Sequence, residues 1–130
     1  MSAHILIVED NELNRKLFQD LLEVNKYRVS TADEASQVLP KMRNDPPDLV
    51  LMDIQLHSAT GTDIMLEIKA DPQLKHIPVI AITAFVLRDD RERLLNAGFE
   101  GYIPKPISID SFLKTIREQL ENSQTSVQRN

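Results

Sequence analysis

Five side chains in this sequence could do chemistry if the fold brings them together: Glu9 and Asp10, Asp53, Thr83, and Lys105 before Pro106. Each stands where a short apolar run stops. Carboxylates gathered closely repel and raise one another's pKa unless a cation compensates them. A bound hard cation is therefore expected. Mg²⁺ suits the group, because it prefers octahedral oxygen ligands, keeps several waters and takes few carboxylates together with phosphate oxygens. A hydroxyl and an ammonium alongside would complete a phosphate-directed cleft. Taken singly, each residue has a plainer reading. Glu9-Asp10-Asn11 could be a polar strand exit that caps a helix, Asp53 a loop carboxylate, Thr83 a β-branched strand residue and Lys105 a solvated turn. Four separate strand ends carrying these types in this order weigh against loop chemistry.

The elements that must position them follow from hydrophobic patterning. His4 to Val8 is nearly all apolar and reads as a buried strand. Behind a plausible Asn11 N-cap, Leu13, Leu17, Leu21 and Val24 recur at helical spacing with Phe18 and Leu22 beside them. Tyr27 to Thr31 alternates as a second strand, and Ala35, Val38, Leu39 and Met42 mark a second helix in which Pro40 predicts a kink or an early end. Asp45-Pro46-Pro47 breaks the chain before a third strand from Leu49 that ends at Asp53. Ile64, Met65 and Ile68 predict a helix closed by Asp71-Pro72, and Pro78 to Ile82 a fourth strand ending at Thr83. Leu87 to Ala97, with Gly98 as C-terminal cap, gives the fourth helix. Gly101 to Pro104 is a short fifth strand. Ile109, Phe112, Leu113, Ile116 and Leu120 line a last helix starting near Ser108, and the polar stretch 122–130 is expected to fray or stay disordered beyond a domain spanning 1–121.

Strands alternating with helices, with strands apolar throughout, indicate a parallel sheet covered on both faces. Right-handed crossovers leave few topologies, and five units fit the doubly wound, flavodoxin-like (βα)5 fold with strand order 2-1-3-4-5 in three α/β/α layers. Ligands in such sheets bind beyond the strand C-terminal ends, at the switch point between strands one and three. The five candidate residues all fall at that end.

Composition excludes several other functions. With 130 residues, 42% of them hydrophobic, the chain is one domain that needs no staple to hold a core. It has no Cys, which removes disulfides, zinc-thiolate sites and cysteine nucleophiles and is compatible with a reducing cytoplasm. Gly61, Gly98 and Gly101 fit neither a P-loop nor a dinucleotide-binding turn. A net charge of -5 argues against nucleic-acid binding through a basic face. No run reaches membrane-spanning length and no secretion signal is visible, so the expected compartment is the cytoplasm.

The segments Leu6-Ile7-Val8-Glu9-Asp10-Asn11, Leu51-Met52-Asp53-Ile54-Gln55-Leu56, Ile82-Thr83-Ala84 and Tyr102-Ile103-Pro104-Lys105-Pro106 together resemble the signature of response-regulator receiver domains, over residues 4 to about 121. Glu9 to Asn14, Met52 to Leu56 and Lys105 to Ser108 are further similar to the stand-alone members that regulate the cell cycle. The resemblance implies that Asp53 is the phosphoacceptor, taking a phosphoryl group from a phosphohistidine of a sensor kinase. It implies that Glu9, Asp10, Asp53 and the backbone carbonyl of Gln55 hold Mg²⁺, that Lys105 neutralises a phosphoryl oxygen, and that the Thr83 hydroxyl bonds another after transfer. Tyr102 matches the aromatic switch position, although a half-exposed strand tyrosine is the other reading. Lys105-Pro106 is expected to be cis, against a general frequency of about 5 to 6% for X-Pro bonds. Gln55 and Phe85 match positions that tune dephosphorylation. The family commonly has proline where this chain has His57, which, like His76, reads as a solvated loop residue, while His4 opens a strand.

No output domain is expected after the last helix, so the expected output is phosphorylation-dependent binding. The expected partners are a sensor histidine kinase or kinase/phosphatase, a histidine phosphotransfer protein or an adaptor, with helix one around Asn14, Leu17 and Phe18 as a docking face. The resemblance describes a phosphoacceptor switch and no multiple-turnover enzyme. Two alternatives stand beside it. A Mg²⁺-dependent phosphatase with an aspartyl intermediate would carry D-x-D at strand one, where this chain has Asp10 and Glu12. A pseudo-receiver would keep the fold as an interaction module without phosphorylation.

Overall fold

The computed structural model describes residues 2–56, 60–84 and 88–128, with the side chains of all but 88–91 and 123–128. Strands β1 (His4–Val8), β2 (Arg28–Ala32), β3 (Leu49–Asp53), β4 (Val79–Thr83) and β5 (Gly101–Pro104) form one parallel sheet in the order β2-β1-β3-β4-β5. Helices α1 (Glu12–Val24), α2 (Val38–Asn44), α3 (Gly61–Ala70), α4 (Arg88–Ala97) and α5 (Ile109–Gln128) connect and cover them. This is the doubly wound topology that the patterning predicts.

Period-2 alternation in continuously apolar strands divides the core into two layers. Ile5, Ile7, Leu49, Leu51, Ile80, Ile82 and Ile103 point toward α1 and α5, where they meet Phe18, Leu22, Phe112, Ile116 and Leu120. The rings of Phe18 and Phe112 stack at 5.4 Å and fasten the two helices together. Leu6, Val8, Val50, Met52, Val79 and Ala81 point the other way, onto Val38 and Met42 of α2 and Ile64, Met65 and Ile68 of α3. Both faces of the sheet are dry, so its strand ends are the polar outlet.

Several local expectations need correction. In α1 the row Phe18 and Leu22 faces the sheet, while Leu13 and Val24 are each 80% exposed and Leu17 is 45% exposed. Two adjacent apolar rows have the same period, and the buried one is the row that packs on the sheet and on Phe112. Pro40 does not end its helix. A 3₁₀ turn over Ala35–Gln37 precedes α2, which places Pro40 in the first α-helical turn, where its missing N–H has no intrahelical partner to lose. Strand β2 begins one residue later than expected, because Lys26 takes a left-handed φ of 71° and the Tyr27 N–H bonds back to the Leu22 carbonyl, so α1 still owns Tyr27. The bounds of helix α5 run from Ile109 to Gln128, past Glu121. The added turns are polar but contain no Pro or Gly to interrupt the backbone ladder. Gly98 caps α4 as expected, with φ 128°.

Candidate functional site

The five candidate residues leave the ends of four strands, Glu9 and Asp10 together after β1, and the sheet order makes those four strands contiguous. Strand β1 stops at Val8, and Glu9 continues its line, its N–H donating to the Ala32 carbonyl at 3.1 Å. Asn11 then turns the chain into α1, its side chain accepting the Asn14 N–H at 2.9 Å. Asp53 is the last residue of β3 and only 3% exposed. Thr83 ends β4, also 3% exposed, and its carbonyl accepts the Lys105 N–H at 2.8 Å, which aligns Lys105 with the strand ends. The Lys105–Pro106 peptide bond is cis.

These placements bring Glu9, Asp10, Asp53 and Lys105 together. One ligand atom from each of Glu9, Asp10 and Asp53 lies within 4.8 Å of the others. Asp53 Oδ1 accepts the Gln55 N–H at 2.9 Å and Oδ2 accepts Lys105 Nζ at 2.9 Å. Lys105 Nζ also stands 3.6 Å from Glu9 Oε1. One ammonium thus faces a group of three carboxylates, which leaves negative charge in excess.

Glu9 bears the cost of that excess. Its side chain is buried, its Oε2 accepts the Asn11 N–H at 3.4 Å, and among the described residues its Oε1 has no hydrogen-bond partner. Burial, then the hydrogen bond and charge of Asp53, push its pKa up to about 7, against the opposing pull of Lys105 and the Asn11 N–H. Lys105 moves upward as well. Burial disfavours its ammonium, but the hydrogen bond and charge of Asp53, with Glu9 behind, more than offset this. A buried, unbonded carboxylate oxygen among three clustered hard donors fits a small divalent cation such as Mg²⁺.

Three residues without any motif in the sequence shape the cleft. Gly61 opens α3 directly beneath the end of β3, its N–H donating to the Ile54 carbonyl at 2.8 Å. A Cβ there would run into the Asp53 carbonyl and stand 2.9 Å from Ile54 Cα. Thr60 caps that helix, accepting the Asp63 N–H at 3.1 Å. Arg15 donates from Nη1 to the Glu9 carbonyl at 3.0 Å. A lone glycine, a threonine and a helix arginine give no signal of their own, and only the folded chain shows what they touch.

Tyr102 is half-buried on β5, paired in register with Ala81 and packed against the α2/α3 side of the core. Gln55 is exposed. Phe85 and His57 lie outside the described residues. Of the docking residues expected on α1, Phe18 is unavailable because it is 2% exposed in the core, while Leu17 stands outside with Leu13.

Comparison with known proteins bears on this geometry. The family model described as the response regulator receiver domain matches residues 5–117. The polar-differentiation response regulators DivK of Brucella ovis and Brucella melitensis are each 46% identical over 120 residues, covering 92% of this chain and 98% of theirs. Among solved structures, a CheY-like receiver domain protein of Methanospirillum hungatei superposes with a TM-score of 0.87 at 28% identity, covering 97% of this chain and 99% of that one. The receiver domain of a Pseudomonas aeruginosa sensor histidine kinase gives 0.84 at 30% identity over 93% of this chain and 99% of that one, and it carries a magnesium ion in its active-site cleft.

Proposed function

The chain belongs to the response regulator receiver domain family, and on that footing we propose that Asp53 accepts a phosphoryl group from a sensor histidine kinase in a Mg²⁺-dependent step. The observation that carries this reading is the placement of Asp53, a buried strand-end carboxylate clustered with Glu9 and Asp10 and paired with Lys105. In this reading an Asp53 carboxylate oxygen attacks the phosphorus of a phosphohistidine. A P–O bond forms as the P–N bond breaks, and the imidazole leaves with the electron pair. Glu9, Asp10, Asp53 and the Gln55 carbonyl would hold Mg²⁺, which would neutralise charge on the phosphoryl oxygens. Lys105 would pair with one of those oxygens. Burial of Asp53 keeps bulk water from competing as nucleophile, and Phe85 is the side chain proposed to shield the product.

Signalling requires a contact made in one state only. The Thr83 hydroxyl would bond a phosphoryl oxygen after transfer, and Tyr102, on the neighbouring strand, would follow by rotating inward and altering the face formed by α4, β5 and α5. The kinase would seat on α1, where Leu13 and Leu17 present an exposed apolar row. By likeness to DivK, the output is proposed to be regulation of cell-pole differentiation and the cell cycle in a bacterial cytoplasm, through kinase/phosphatase, phosphotransfer or adaptor partners. The switch turns over only its own acyl phosphate. Among the described residues no helix is long and apolar enough to cross a membrane.

Incubation with acetyl phosphate and Mg²⁺, followed by intact mass, tests the reading. One added phosphoryl group on the wild type and none on Asp53→Asn is expected. An equal adduct on both proteins would overturn it.

A further inference from the structure

The acidic cluster is gripped from behind as well as faced by Lys105. Arg15, in the second turn of α1, is half-buried and directs Nη1 back to the Glu9 carbonyl at 3.0 Å. That carbonyl is half of the peptide joining Glu9 to Asp10, so one guanidinium holds the link between two adjacent carboxylates of the cluster. The same short turn is tied at three other points. Glu9 N–H bonds the Ala32 carbonyl at 3.1 Å, the Asn11 carbonyl accepts Arg15 N–H at 2.9 Å, and the Asn11 side chain accepts Asn14 N–H at 2.9 Å. Arg15 therefore contributes both its backbone and its side chain to the segment that aims Glu9 and Asp10.

We infer that Arg15 is a positioning residue for the cation site, fixing the Glu9–Asp10 peptide so that both carboxylates keep the geometry a divalent ion uses. The inference rests on reading the cleft as a Mg²⁺ site. Arg15 has two effects there, and they have opposite signs. As a positive charge held against the backbone between Glu9 and Asp10 it competes with a bound cation. As a planar donor with a fixed direction it orients the ligands, a role in which partners behind metal ligands commonly matter about 10- to 100-fold in affinity. A lysine keeps the charge and loses the directed fork. Charge effects between accessible groups fade in salt, whereas the orientation of a peptide does not.

Calorimetric Mg²⁺ titration of wild type, Arg15→Lys, Arg15→Ala and Arg43→Ala, at low and high salt, separates the two effects. Arg43 makes the control, since it is exposed and pairs with Asp71 at 2.9 Å on the far side of the sheet from α1. Both Arg15 variants are expected to bind Mg²⁺ about tenfold more weakly at either salt, with thermal midpoints near the wild type and phosphorylation by acetyl phosphate recovering at saturating Mg²⁺. Arg43→Ala should match the wild type. Should Arg15→Ala fail to fold, Arg15→Lys alone decides. Wild-type affinity in Arg15→Lys, or tighter binding in Arg15→Ala that salt abolishes, would overturn the inference while leaving the cleft reading intact. Absence of Mg²⁺ binding by the wild type would remove the cleft reading and the inference with it.

Discussion

Lys105 Nζ lies 2.9 Å from Asp53 Oδ2 after crossing the end of the intervening strand β4, whose Thr83 carbonyl fixes the Lys105 backbone. The ammonium is thus delivered to the carboxylate by sheet order and not by sequence proximity. It shares the acidic cluster with whatever cation binds there. Replacing Lys105 with Gln removes the charge while keeping a polar side chain. Phosphorylation by acetyl phosphate should slow by about 100-fold, the usual scale for removing one group that stabilises transferring charge. Mg²⁺ should bind at least as tightly as before, since a competing cation has gone. Loss of Mg²⁺ binding in the same variant would instead make Lys105 part of the frame that shapes the cation site.

The pH dependence of stability should carry the signature of Glu9. Its pKa rises from 4.5 to about 7 on folding, so between those values the native state binds the extra proton. Stability without divalent cation should be greatest in this respect below pH ~4.5 and decline as pH rises toward ~7. The decline has an upper bound of about 3 kcal/mol, because each tenfold change in proton affinity is worth about 1.4 kcal/mol. Glu9→Gln, which cannot ionise, should flatten the slope in urea melts. Saturating Mg²⁺ should flatten it too, by favouring the charged form. A slope that persists unchanged in Glu9→Gln would assign the effect to another group.

Sequence patterning carries the fold and the chemical types at the site, because both depend on strand ends. An apolar run that stops at a carboxylate locates both an element and a ligand at once, as Val8 to Glu9 and Met52 to Asp53 show. What patterning cannot carry is the choice between equivalent rows or the cost of close approach. Leu13, Leu17 and Val24 have the same spacing as a core stripe and are nonetheless outside. Gly61 matches no motif and is nonetheless required by the Asp53 backbone. The polar end of α5 shows the converse, since missing apolar periodicity does not prevent a helix from continuing.

The two rows of α1 should separate stability from recognition. Phe18→Ala leaves a hole against Phe112 in the buried layer and should cost about 3–5 kcal/mol in urea unfolding. Leu13→Asp, at a position 80% exposed, should change stability by no more than about 0.5 kcal/mol. It should nevertheless slow phosphotransfer from a histidine kinase that phosphorylates the wild type, while acetyl phosphate, which needs no docking, reacts at the wild-type rate. Equal rates from both donors would move the kinase contact off this row.

Gly61→Ala tests how closely α3 must approach the phosphoacceptor strand. The added methyl would meet the Asp53 carbonyl and lie 2.9 Å from both Ile54 Cα and Met52 Cγ. Two of the three contacts are backbone, which cannot swing aside as a side chain can, so the end of β3 must move. Overpacking of this kind costs about 1–3 kcal/mol. The displaced atoms belong to Asp53 and its neighbour, and Mg²⁺ affinity and phosphorylation rate should therefore fall along with stability. Gly101→Ala is the matched comparison. Its methyl would stand 3.2 Å from Ile80 Cδ1 and 3.4 Å from Gln119 Nε2, both side-chain ends that can shift, so its cost should be smaller and its Mg²⁺ affinity unchanged. If Gly61→Ala lost stability but bound Mg²⁺ like the wild type, the strand end would be taking up the strain without moving its carboxylate, and the coupling between α3 and the site would be absent.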